Sequence, residues 1–242
     1  MGEPTQLIPQ ITTQSKNWIV RITVTESIPI MICSTGSRLK CYVFTDREGN
    51  EVTTTIYGHD VAVLEPMIHH YGVYDISNAD VKITDPKYQI VNNPFQWNIR
   101  RQTPICPVPE ARPNLRYFLD SLRPFSLIPE AKKAESKTID IMGIIIHAFE
   151  SKQINYGQDN VQHFTFVDIE KIPICVSLWN EMITSESQTL LEAARNHSVV
   201  VAKRLAIKSY DILSLASKNS TSFTIDPPIE AVANLKCWFH IL

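Results

Sequence analysis

Four aromatic residues stand in register. Tyr57 lies 31 positions before Tyr88, and Trp179 lies 31 before Tyr210; the two pairs are 122 apart. An aromatic face is a sequence-tolerant platform for a nucleobase, worth roughly 1–3 kcal/mol per stacked base. One aromatic at a strand end more often packs into a core or its rim. The same pair in register twice favours a shared ligand-facing role, although two copies of one fold would also repeat their core. Arg21, Arg38, Lys40, Lys82, Lys203, Arg204 and Lys208 are the candidate cations. As a set they would neutralise phosphates in a salt-dependent way; singly, each is more often a solvated charge. The pair Arg100-Arg101 is left outside that set.

Enzyme chemistry finds no foothold in the chain. The phosphate-binding patterns G-x-x-x-x-G-K-[ST] and G-x-G-x-x-G are missing, as are G-x-S-x-G and H-E-x-x-H. His69 and His70 are adjacent, so on a helix their side chains diverge by about 100°. Asp159, Asp168 and Glu170 form no close carboxylate set. The five cysteines, Cys33, Cys41, Cys106, Cys175 and Cys237, lack C-x-x-C spacing and read as free thiols in a reducing compartment. The expectation is a protein that is not an enzyme, with no cofactor, no metal and no zinc site.

The elements that must position these residues are repeated. Residues 42–46 (Tyr-Val-Phe-Thr-Asp) match 164–168 (Phe-Thr-Phe-Val-Asp), again at an offset of 122, and that offset also aligns 18–22 with 140–144. Two tandem copies of one domain follow. In the first, strands are expected at 18–26, 39–45, 52–57, 73–77, 81–84 and 88–91, with Glu48-Gly49-Asn50 as a hairpin turn. A helix is expected over 60–70, where Val61, Leu64 and Ile68 share a face and Asp60 caps. The second copy repeats the order, with strands at 138–149, 161–168, 172–179, 198–207 and 212–216 and a helix near 187–196. Three strands, a helix and two more strands is the order of the five-stranded oligonucleotide-binding (OB) barrel. On pattern alone a small β-barrel of another type fits as well. The fold class expected is all-β with short helices: two tandem five-stranded OB barrels and a C-terminal helix over 227–239.

Pro104, Pro107, Pro109 and Pro113 interrupt strand pairing. They divide the chain into a first domain at 1–103, a Pro-rich linker with a short helix (115–122) at 104–136, and a second domain at 137–242. With 23 basic and 25 acidic residues among 242, the balance excludes a polybasic tail, and 44% hydrophobic residues exclude a disordered chain. Only seven glycines are present, too few to favour a glycine-rich phosphate loop. The N-terminus does not read as a signal peptide. No apolar run reaches the ~20 residues a bilayer needs, so no membrane role is expected.

Ser15-Lys16-Asn17-Trp18, Asp46-Arg47-Glu48-Gly49, Val81-Lys82-Ile83, 138–144 (Thr-Ile-Asp-Ile-Met-Gly-Ile), Leu178-Trp179-Asn180-Glu181 and Leu235-Lys236-Cys237-Trp238-Phe239 together carry a resemblance. In order and spacing the chain resembles the two central DNA-binding OB domains of the replication protein A large-subunit family. The resemblance implies a single-stranded DNA-binding protein of nuclear location, acting in replication, repair and recombination, with protein partners from that machinery. It places the stacking aromatics on Tyr57, Tyr88, Trp179 and Tyr210 and a groove lysine on Lys82. The family's N-terminal recruiting domain and zinc-bearing C-terminal domain have no counterpart in this sequence, which is expected to be a short paralogue or a fragment. One segment departs from the family: Ile28 to Cys33, expected as a loop, is apolar where the family has polar and basic residues. That segment motivates a second reading, an OB-fold interaction adaptor that binds protein there.

Overall fold

The structure is a computed structural model that describes residues 6–33, 35–134, 137–209 and 212–240. Its contacts separate into two units, Met1–Leu119 and Asp120–Leu242. Both are built mainly from strands, in the tandem OB topology that the repeat requires. Among the described residues no helix is long and apolar enough to cross a membrane.

The first unit contains β1 (Ile19–Ile32), β2 (Arg38–Thr45), β3 (Glu51–Tyr57), α1 (His59–Leu64), β4 (Val73–Ser77), β5 (Asp80–Ile83), β6 (Phe95–Asn98) and β7 (Ile105–Pro107). They form one curled sheet in the order β5-β6-β3-β2-β1-β4-β7. β4 and β5 are two halves of one OB strand, broken at Asn78 and Ala79. Asn78 adopts φ +49°, and its side-chain oxygen accepts the Trp18 N–H at 3.2 Å. The first half pairs with β1 and the second with β6, so the chain itself links the two sides of the sheet. Inside, Trp18 and Trp97 lie 4.6 Å apart between ring centres, packed with Val20, Tyr42, Phe44 and Ile56.

The second unit contains α2 (Ile128–Lys133), β8 (Thr138–Ala148), β9 (Lys152–Ile154), β10 (Asp159–Val167), β11 (Pro173–Trp179), α3 (Glu181–Arg195), β12 (Val199–Ser209), β13 (Leu213–Ala216), β14 (Ser222–Ile225) and α4 (Glu230–His240). Here β12 is unbroken, pairing with both β8 and β13. With β10–β11 and the parallel β11–β13 pair, this closes a five-stranded barrel. Phe164, Phe166, Val176 and Leu178 fill it. Val232 and Leu235 of α4 seal Ile144, Val167 and Val199 from outside.

Each barrel is fastened by a buried carboxylate in the turn after its second strand. Asp46 is 1% exposed and Asp168 is 5% exposed. Asp46 accepts the N–H of Glu48 and Asn50 on Oδ1 and that of Ile8 on Oδ2, all at 2.9–3.0 Å. Asp168 accepts Glu170 and Ile172 on Oδ1 and Phe125 on Oδ2, at 2.9–3.1 Å. Ile8 and Phe125 each open a 3-10 turn, and each is buried. A charge-assisted acceptor with three backbone donors thus pins a hydrophobic residue against its own barrel.

The span expected as a linker is largely packed. Residues 105–107 form β7 on β4. Asn114 bonds Thr23 and the Asp46 carbonyl, and the Tyr117 ring lies against Gly49, at φ +87°. Leu122 bridges to Asp140 within the second unit. The helix expected at 115–122 is a run of turns; α2 forms later, where Pro129 suits a first helical turn. The strand expected at 88–91 is instead a 3-10 turn, Pro86–Tyr88, and the pairing strand is β6. Residues expected as an apolar loop, 28–32, extend β1, with Ile28 fully buried and Ile32 left 65% exposed.

The single offset of 122 holds for the second and third strands and then divides. Asp80 opposite Asn98 corresponds to Ala206 opposite Ala216, offsets of 126 and 118. The second copy gains four residues between its third and fourth strands and loses eight between its fourth and fifth. The offset of 122 that relates Tyr88 to Tyr210 in sequence therefore matches neither of the strands that flank them.

Asp168→Ala leaves three backbone donors without their acceptor. It is expected to destabilise the second unit by about 2–5 kcal/mol, read as a lower denaturant midpoint, with Asp168→Asn losing less.

Candidate nucleic-acid interface

In the first unit, alternation along β3 sends Val52 and Ile56 inward and leaves Thr53, Thr55 and Tyr57 on the outer face. Parallel pairing with β6 sets Gln96 beside Thr53 and Asn98 beside Thr55. Antiparallel pairing with β5 then adds Lys82 beside Gln96 and Asp80 beside Asn98. The result is an open cavity of about 460 Å³ walled by Tyr57, with Gln96 and Asn98 in its floor and Lys82, Arg100 and Asp60 at its rim. Tyr57 is 46% exposed. Partial burial raises its phenol above the ordinary value of 10, while side-chain hydrogen bonds with Thr55 and Gln96 act in the opposite direction. Thr55 also donates to Asn98, so a polar lattice holds the ring from below. Asp80 sits 3.6 Å from Lys82 and 3.0 Å from Arg100, so the two rim cations share one carboxylate. Tyr88 is 64% exposed at the tip of the β5–β6 hairpin, with Lys87 Nζ 5.2 Å from its ring centre. It stands outside the cavity, whose sides come from the base of that hairpin.

The second unit repeats the arrangement by register. Trp179 ends β11 as Tyr57 ends β3, half-buried, its backbone N–H donated to Ser217 Oγ at 3.1 Å. Each ring is followed by a residue of positive φ: Gly58 at +60° and Asn180 at +47°. Asn180 also donates to Asp159 at 3.0 Å, and this bond, with one from Asn155, holds the Asp159 carboxyl below its ordinary range. Cys175 pairs with Ser214 and Ser214 with Lys208, as Thr53 pairs with Gln96 and Gln96 with Lys82. Lys208 is therefore the counterpart of Lys82. Arg100 and Lys218 also correspond: each donates its N–H to a threonine three residues on, Thr103 and Thr221. Neither was among the sequence candidates, although R-x-x-T and K-x-x-T after the fifth strand were legible signals. Tyr210 lies outside the described residues. Among the described residues, no three His, Cys, Asp or Glu gather to hold a metal ion.

No family model matches the chain. It is 23% identical over 235 residues to a replication protein A 70 kDa DNA-binding subunit of Arabidopsis thaliana, covering 92% of this chain and 38% of that protein. Against the mouse 70 kDa DNA-binding subunit the identity is 20% over 249 residues, 98% of this chain and 38% of the other. A replication protein A heterotrimer bound to ssDNA superposes with a TM-score of 0.77 at 18% identity, over 98% of this chain and 55% of that one. The chain is similar to the large subunits of replication protein A. It spans under two-fifths of the length of these curated relatives.

Within this replication protein A-like pair of domains, four of the seven sequence-derived cations serve the fold. Arg21 makes a bidentate pair with Asp75, at 2.8 and 2.9 Å, on the β1–β4 side of the sheet. Lys40 shares the inward face of Tyr42 and is buried, 3.9 Å from Glu65 and over the Tyr42 ring. Lys203 is buried beside Ser222. Arg204, at φ +60° in the β12 bulge, donates its N–H to Asp140 and its Nε to the Ser220 carbonyl, both at 2.7 Å. Arg38 is exposed, but the register sets Leu39 opposite Tyr57, so Arg38 follows the face of Lys40. Lys82 and Lys208 remain on the outer faces. Arg204→Ala is expected to cost about 1–3 kcal/mol, read as a lower thermal midpoint of the second unit.

Proposed function

We propose that the chain binds single-stranded DNA across the outer faces of its two OB domains. Bases stack on Tyr57 and Tyr88 in the first and on Trp179 in the second, with Tyr210 as the remaining stacking candidate. Lys82 with Arg100, and Lys208 with Lys218, meet the phosphates. One observation carries this reading: a half-exposed ring walls a cavity whose rim carries Lys82 and Arg100 among its charges, and the ring, lysine and following base recur in both units. Rings and point charges do not discriminate among bases, so binding is sequence-tolerant. The similarity to replication protein A subunits supports the same reading. Protein partners from the replication and repair machinery, a nuclear location and the absence of catalysis belong to it. The adaptor alternative has less to rest on, since of the apolar segment Ile28 is buried and Ile30 packs on the core, with Ile32 left exposed.

A labelled oligonucleotide tests this by fluorescence anisotropy. The expected result is binding that weakens as salt rises, because phosphate contacts release counterions. Tyr57→Ala and Trp179→Ala are each expected to cost about 1–3 kcal/mol. A folded protein that binds nothing at low salt would sink the proposal. Asp80→Asn removes the carboxylate shared by Lys82 and Arg100; it is expected to tighten binding at low salt, with the gain vanishing at high salt.

A further inference from the structure

The outer face of the second barrel continues beyond Trp179 into a second aromatic feature. Register aligns Trp179 with Val161, Ser177 with His163, and Cys175 with Thr165, and Thr165 pairs in turn with His147 of β8. All of these residues alternate with the core set Phe164, Phe166, Val176 and Leu178, so they share the outer face. Phe149 joins them: its N–H donates to the His163 carbonyl at 2.9 Å, and its carbonyl accepts from Gln162 Nε2 at 3.0 Å. Its backbone is therefore fixed to the sheet while its ring remains 43% exposed.

Two imidazoles hold that ring. His147 lies 4.3 Å away between ring centres at 77°, and His163 lies 6.5 Å away at 84°. His163 is itself anchored, its Nδ1 2.8 Å from Ser177 Oγ. Single exposed apolar rings are common on protein surfaces. This one is propped edge-on by neighbours and left accessible. The first unit treats the same strip differently. There the register puts Glu26, Ile28 and Cys41 at the places of His147, Phe149 and His163, and all three are buried. The exposed ring is thus a property of the second copy and not of the fold.

We propose that Phe149, braced by His147 and His163, is an additional base-stacking platform of the second domain, engaging a nucleobase of the strand that also contacts Trp179. This rests on the single-stranded DNA reading above. The occupant follows from continuity with that interface and from the hydrogen-bonding imidazoles flanking the ring, which suit a nucleotide better than an apolar peptide.

The test uses the whole chain and a labelled oligothymidylate at low salt. Phe149→Ala is expected to weaken binding on the order of 5–100-fold, the equivalent of one stacked base. Phe149→Trp is expected to retain binding and to add a tryptophan signal quenched by the oligonucleotide. Wild-type affinity in a folded Phe149→Ala variant, alongside weakened binding by Trp179→Ala, would overturn the inference and leave the DNA reading intact. If the alanine variant fails to fold, an unquenched indole in Phe149→Trp would overturn it instead. A wild-type chain that binds no oligonucleotide would remove both.

Discussion

A buried carboxylate ties each barrel to the chain that enters it. Asp46 and Asp168 each gather three backbone donors, two from their own turn and one from a 3-10 turn far upstream. Unpaired, such a carboxylate would be costly to bury. Paired, it fixes the angle at which the second strand passes into the third. That angle matters because the third strand carries Tyr57 or Trp179 at its far end. A slip of one residue there would turn the ring into the core and an aliphatic residue to the surface.

From that strand outward, the site is assembled by sheet register. The parallel pairing of third and fifth strands, followed by the antiparallel pairing of fifth and fourth, sets ring, polar floor and lysine on one face. The two copies reach this by different closures. The first breaks its fourth strand at Asn78, whereas the second keeps the strand whole and absorbs the turn in a bulge clamped by Arg204. The bulge commits an arginine to structure, its Nε donating to the Ser220 carbonyl.

The copies also differ in what they leave open. The first carries a polar lattice of Thr55, Gln96 and Asn98 under its tyrosine, with a rim of opposed charges. The second has Ser177, Ser214 and Lys208 in the corresponding rows and exposes the Phe149 ring on a strip that the first fills with buried Glu26, Ile28 and Cys41. The two units share the frame and differ on the outer face.

Periodicity and repetition in the sequence sufficed for the first four strands of each copy, the tandem arrangement, the C-terminal helix and the placement of Tyr57 and Trp179 at strand ends, but not for the fifth strand of the first copy, which lies at Phe95–Asn98 and not at 88–91. These follow from local alternation, which each segment carries within itself. The roles of the cations did not follow, because a lysine or arginine reads alike whether it faces water, a carboxylate or a backbone turn. Alternation with Tyr42 was already enough to turn Lys40 inward. Only tertiary pairing showed that Lys82 matches Lys208 and Arg100 matches Lys218, since two length changes of opposite sign hide both correspondences from a single sequence offset. The packing of the proline-rich span was likewise decided by partners distant in the chain, Asp46 and Asp168 among them, and no local signal encodes a hydrogen bond closed over forty residues.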